Sequence, residues 1–105
     1  MKAEEVKIPT DRIMGFCQRW QITEFALFGS ILSSDFRPDS DVDVLVTFVP
    51  NAGWSLFDQI DMQDELQAIF DRPVDLVSRR GIEHSRNYLR RQAILDSAKV
   101  IYAVS

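Results

Sequence analysis

Two aspartates, Asp41 and Asp43, lie one residue apart in DSDVDVLVTF, a stretch whose β-branched residues predict a strand. Strand side chains alternate between faces, so Asp41 and Asp43 point the same way while Val42, Val44, Val46 and Phe48 fill the opposite face. Carboxylates placed side by side repel, and a strand that only packs rarely keeps such a pair. A divalent cation resolves the conflict: carboxylate oxygens suit magnesium, and magnesium held this way usually also holds the phosphates of a substrate. Upstream, Gly29-Ser30 ends another predicted strand, and the absent Cβ lets backbone N–H groups approach such phosphates closely. Downstream, Asp75 stands between Val74 and Leu76, a further acid inside an apolar segment where an unpaired charge is costly.

Periodicity outlines the elements that must position these groups. Thr10 is placed to cap a helix over which Ile13, Phe16, Cys17 and Trp20 form one apolar stripe. Ile22 to Phe28 reads as the first strand, Ser30 to Ser34 as a short helical turn, and Arg37-Pro38-Asp39-Ser40 as a turn by composition. The strand Val42 to Phe48 closes at Pro50-Asn51. From Ser55 to Phe70 the pattern is helical with a drifting apolar face: Leu56, Phe57 and Ile60 lie on one side, and Met62, Leu66, Ile69 and Phe70 on another. That drift predicts contacts on two surfaces or a first turn that is partly non-helical. Pro73 to Ser78 is a short strand with its proline where a strand tolerates one. Gly81 is expected to break the chain before a helix from about Glu83 to Ser97, and a last apolar strand runs from Lys99 to Val104. The fold class is α/β (α+β), a mixed sheet of four strands with helices packed against it, because the first two strands are too close for a helical crossover.

Gly29-Ser30, then Asp41-Val42-Asp43 about a dozen positions on, then the lone Asp75 on a later strand, resembles the signature of the nucleotidyltransferase superfamily that includes DNA polymerase beta and the kanamycin nucleotidyltransferases. The likeness is strongest to its minimal form, the MNT proteins, and continues through RPVDLVSRRGI and AILDSAKVIY, so nearly the whole chain is covered. The resemblance implies a single nucleotidyltransferase domain over residues 1–105. It also implies that Asp41, Asp43 and Asp75 hold two magnesium ions, with Asp75 as a general base. Gly29 and Ser30 would bind the β and γ phosphates of ATP. The implied partner is a HEPN-domain ribonuclease toxin, joined in a hetero-oligomer and adenylylated on a tyrosine by this chain as its antitoxin. One departure stands out. MNT sequences often carry an Arg soon after the Gly-Ser, whereas Ile31, Leu32, Ser33 and Ser34 offer none, and Arg37 is the nearest substitute.

Composition narrows the rest. The chain has 105 residues, 46% hydrophobic and 27% charged, which is an ordinary globular balance for one core. A net charge of -4 argues against a general nucleic-acid binder. No apolar leader or run of roughly 18 apolar residues is present, and one cysteine, Cys17, forms no internal disulfide, so a cytoplasmic location is expected. Cys17 reads as core and His84 as an exposed helix-start residue. Val44 and Pro50 stand where an EF-hand loop needs Gly and Glu, and no G-x-x-x-x-G-K-[ST] occurs. Arg79, Arg80, Arg86, Arg90 and Arg91 crowd a stretch with one acid, Glu83, either a solvated helix face or a patch for phosphate or an acidic partner. Two other functions stay open: an antitoxin that masks its toxin without chemistry, and a nucleotidyltransferase for a small molecule or RNA whose substrate-binding subunit is separate.

Overall fold

A computed structural model describes residues 8–32, 37 and 40–104. Helix α1 spans Thr10–Arg19, strand β1 spans Ile22–Phe28, and a single 3₁₀ turn covers Gly29–Leu32. Strand β2 (Val42–Phe48), helix α2 (Leu56–Phe70) and strand β3 (Val74–Ser78) follow, then α3 (Arg79–Glu83), α4 (Tyr88–Ser97) and β4 (Lys99–Ala103). The four strands form one sheet in the order β3-β2-β1-β4. β1 is antiparallel to both β2 and β4, and β2 is parallel to β3. Helix α2 makes the crossover that a parallel pair requires. The mixed sheet is therefore as expected.

Alternation along the strands sorts the apolar residues into two layers. On one face Phe25 and Leu27 of β1, Val42, Val44 and Val46 of β2, and Val74 and Leu76 of β3 meet Ile13, Phe16 and Cys17 of α1 and Met62, Leu66, Ile69 and Phe70 of α2. Phe16 and Phe25 cross edge to face with ring centroids 6.3 Å apart, and truncating such a buried ring costs about 3–5 kcal/mol. On the other face Ala26, Phe28 and Leu45 meet Ile82 of α3 and Ile94 of α4. Trp20 joins the two helices of the first layer: its indole N–H donates to Glu65 Oε1 at 3.0 Å, and its ring crosses Trp54 at 5.1 Å.

Several local expectations change. Thr10 is already the first helical residue of α1; Pro9 occupies the cap and no side chain caps the helix, because the Thr10 backbone has left the extended conformation a capping hydroxyl needs. α2 begins at Leu56 under a full capping box between Ser55 and Asp58, so its first turn is helical. Among the described residues nothing covers its second apolar side: Leu56, Phe57 and Ile60 are 71%, 77% and 50% exposed. Gly81 does not break the chain but lies within α3, whose cap is Ser78, and α4 starts separately after the Asn87 cap. The expected helix Glu83 to Ser97 is thus the last residue of one helix, a connection, and a second helix. His84 closes α3 rather than opening a helix, with Nδ1 2.8 Å from Arg80 O. Of the two turns expected between β1 and β2, Ser33, Ser34, Pro38 and Asp39 lie outside the described residues, while Ser40 N–H donates to Arg37 O at 3.0 Å as a turn requires.

Cys17 is fully buried in the α1 layer, and burial pushes its thiol up to about 12. It should resist alkylation in the native protein at pH 8 and react promptly once denatured, a contrast that mass spectrometry of iodoacetamide-treated samples would read.

Candidate active site

The parallel register of β2 and β3 sets Asp43 directly opposite Asp75. Both alternate with buried Val44 and Leu76, so both carboxylates emerge on the α3–α4 side of the sheet, near its open end. Asp43 is half-buried and Asp75 exposed. Asp41 precedes the first residue of β2 by one position and is exposed, and its charge acts on Asp43. On the other flank Phe28, the last residue of β1, is the register partner of Asp43, which brings the following Gly29 to the same end. Ser30 continues into the 3₁₀ turn.

Gly29 is required for two reasons. Its φ of 79° lies in the left-handed region, and a Cβ placed on it would overlap Asp43 Oδ2. The space that a side chain would take is filled by the Asp43 carboxylate, so Gly29 makes room for an acid. This second role had no signal in the local sequence, because it depends on antiparallel pairing across the loop.

Supports that sequence reasoning missed hold the starts of β2 and β3 together. Val42 N–H donates to Pro73 O at 2.9 Å, and Arg72 Nη1 donates to Arg37 O at 3.1 Å and Ser40 O at 3.4 Å. β3 is an edge strand, and its outward N–H groups are met by α2 side chains: Val74 N–H by Gln67 Oε1 at 3.2 Å and Leu76 N–H by Gln63 Oε1 at 3.4 Å. Gln63 and Gln67 are four apart in a helix beside an edge strand, the one sequence cue that could have suggested them.

Burial, then the negative charges of Asp75 and Asp41, raise the Asp43 carboxyl above its ordinary value, while Arg90 acts in the opposite sense. The three acids thus share one electrostatic field. Among the described residues no group of three acidic, histidine or cysteine side chains is arranged to hold a metal ion by itself. Magnesium does not need such a cage: it is commonly bound through one or two carboxylates, with substrate phosphates and water completing the shell. Oxygen-only donors, in-register Asp43 and Asp75, and an excess of negative charge fit that mode.

The arginine cluster divides. Arg79 pairs with Glu24 at 3.3 Å and Glu83 at 3.2 Å, and Arg91 donates to Glu83 O at 3.2 Å and stacks on Tyr88. Arg79 and Arg80 follow the last residue of β3, about 13 Å of strand beyond Asp75. There they line a cleft of about 570 Å³ with Phe48, Trp54, Gln59 and Met62, at the opposite end of the sheet from the acids. A cleft of that volume is large enough for a small ligand, but its acid, Glu83, is tied to Arg79. The carboxylate end carries Asp43 in register with Asp75 beside Gly29. Arg80, Arg86 and Arg90 are exposed and make no ion pair among the described residues.

A mixed sheet with acids at the start of its central strand and a Gly-Ser bend beside them defines a nucleotidyltransferase domain, and the chain belongs to that family, whose signature matches residues 13–101. A solved structure assigned as a minimal nucleotidyltransferase is 30% identical, with a TM-score of 0.65 over 86% of this chain and 88% of that one, which agrees with the minimal branch. Over 68 residues the chain is 34% identical to the protein adenylyltransferase MntA of Thermococcus cleftensis, covering 63% of this chain and 65% of that protein. The chain therefore spans just under two thirds of that relative's length. Two structures below 25% identity share the fold. One is a toxin–antitoxin solved with AMP-PNP (19% identical, TM-score 0.71, 92% of this chain and 75% of that one). The other is a tri-AMPylated Shewanella oneidensis HEPN toxin in complex with an MNT antitoxin (20%, 0.63, 90% and 69%).

Two substitutions test the geometry. Gly29→Ala should destabilise by about 1–3 kcal/mol, read as a fall in the urea midpoint, since the backbone or Asp43 must shift. Asp43→Asn should do the reverse without divalent cations, adding roughly 0.2–1 kcal/mol at neutral pH by removing a like-charge pair across strands. Folding raises the Asp43 value, so the folded state holds that proton more tightly than the unfolded chain. The destabilisation is present at neutral pH and relieved as pH falls through the raised value toward the ordinary carboxylate range. The advantage of Asp43→Asn over wild type should shrink over that window in paired thermal melts.

Proposed function

We propose that this chain is a magnesium-dependent nucleotidyltransferase that moves AMP from ATP to a hydroxyl of a HEPN partner protein, acting as its antitoxin. The observation that carries the reading is the in-register pair Asp43 and Asp75 beside the Gly29 bend. The named activity of the Thermococcus cleftensis relative and the AMPylated toxin of the Shewanella oneidensis complex support AMP as the group and a HEPN toxin as acceptor. The AMP-PNP complex supports a triphosphate donor. The working unit is a single domain over 1–105, operating in the cytoplasm. Among the described residues no helix is long and apolar enough to cross a membrane.

Gly29 and Ser30 hold the β and γ phosphates through backbone N–H groups and the Ser30 hydroxyl. Asp75, the more exposed acid, faces the incoming hydroxyl and takes its proton as the oxygen attacks the α-phosphorus. The new P–O bond forms as the bond to the leaving oxygen breaks in line, releasing pyrophosphate. Two magnesium ions held by Asp41, Asp43 and Asp75 would supply positive charge for both oxygens. The exposed ridge of Leu56, Phe57 and Ile60 offers a partner apolar contact, as an acceptor that arrives as a second protein requires.

Incubation with labelled ATP, magnesium and the purified HEPN partner should label a tyrosine of the partner. Asp41→Asn or Asp43→Asn should cut labelling by on the order of 10²–10³-fold. Toxin neutralisation that survives both substitutions would show masking instead, and label on RNA or a small molecule would name a different acceptor.

A further inference from the structure

Three carboxylates and a triphosphate bring more negative charge to one end of the sheet than backbone N–H groups offset, and Gly29–Leu32 adds no cation. Helix α4 brings one. Its Ile94 is buried against Ala26, Phe28 and Leu45, and Phe28 is the register partner of Asp43. Helical residues four apart share a face, and their side chains lean toward the helix N-terminus. Arg90 is therefore one turn before Ile94 on the face that α4 turns to Phe28 and Leu45, the first of which pairs with Asp43 and the second of which lies two residues from Asp43 along the same strand. Among the described residues it is the cation whose charge reaches Asp43.

The start of α4 is fixed in place. Asn87 Oδ1 accepts from Arg90 N–H at 3.1 Å, and Arg91 is anchored by Glu83 O and the Tyr88 ring. With its backbone so held and no ion pair among the described residues, Arg90 presents a guanidinium fork suited to phosphate oxygens. We propose that Arg90 binds the triphosphate of the donor nucleotide, closing the donor subsite from the α4 side. The assignment rests on the nucleotidyltransferase reading and adds a contact that none of the sheet residues supplies. It also separates Arg90 from Arg79 and Arg80, which serve the other end of the sheet.

Calorimetric titration with ATP and with AMP, in magnesium, tests this on wild type, Arg90→Ala, Arg90→Lys and Arg86→Ala. Arg90→Ala should weaken ATP binding about tenfold or more while leaving AMP binding within about twofold, because AMP lacks the β and γ phosphates. Arg90→Lys should recover part of the loss, and Arg86→Ala should behave as wild type. Circular dichroism confirms that each variant is folded, and Arg90→Gln replaces Arg90→Ala should alanine unfold the protein. Unchanged ATP affinity in Arg90→Ala, or equal loss of ATP and AMP, overturns the assignment while the donor site stands. A wild-type chain that binds no ATP overturns both.

Discussion

Parallel pairing of β2 with β3 holds Asp43 beside Asp75 against their mutual repulsion, and the rest of the molecule is arranged to keep that pairing. Opposed like charges cost up to about 1 kcal/mol. Each valine or leucine that alternates with them and is buried under α1 and α2 contributes about 1.5–3 kcal/mol, and Val42, Val44, Val46, Val74 and Leu76 are all buried there. Packing on one face thus outweighs electrostatic conflict on the other. Arg72, Gln63 and Gln67 then fix where the two strands begin and how the outer one sits.

Much of this was legible in the chain because strands announce themselves by alternation. β1, β2 and β3 lie where β-branched runs placed them. The mixed sheet followed from the short spacing of the first two strands. What could not be read was non-local or locally ambiguous. Gly81 carries a breaker's identity yet sits inside α3, where Ile82 is buried under the sheet and the Ser78 hydroxyl accepts from Gly81 N–H. The break falls instead at the Asn87 cap. Thr10 and Pro9 compete for the same helix start, and a shift of one residue reverses their roles. The arginine cluster looked like one patch because its members are close in sequence, whereas a strand and two helices send them to different ends of the sheet.

The drifting apolar face of α2 is a different kind of signal. Met62, Leu66, Ile69 and Phe70 are committed to the core, and among the described residues the side with Leu56, Phe57 and Ile60 is left exposed. Asp61 and Asp64 flank that side, and α2 contains no basic residue. A helix face of this composition is an outward-looking surface rather than a misread core.

Asp43 and Asp75 are carried by neighbouring strands, and Gly29 directly follows a third strand of the same sheet, all tied by backbone ladders. Backbone pairing fixes their spacing independently of the helices, so on the proposed reading a change of acceptor could be made on the helical side while the strands that carry the acids keep their register.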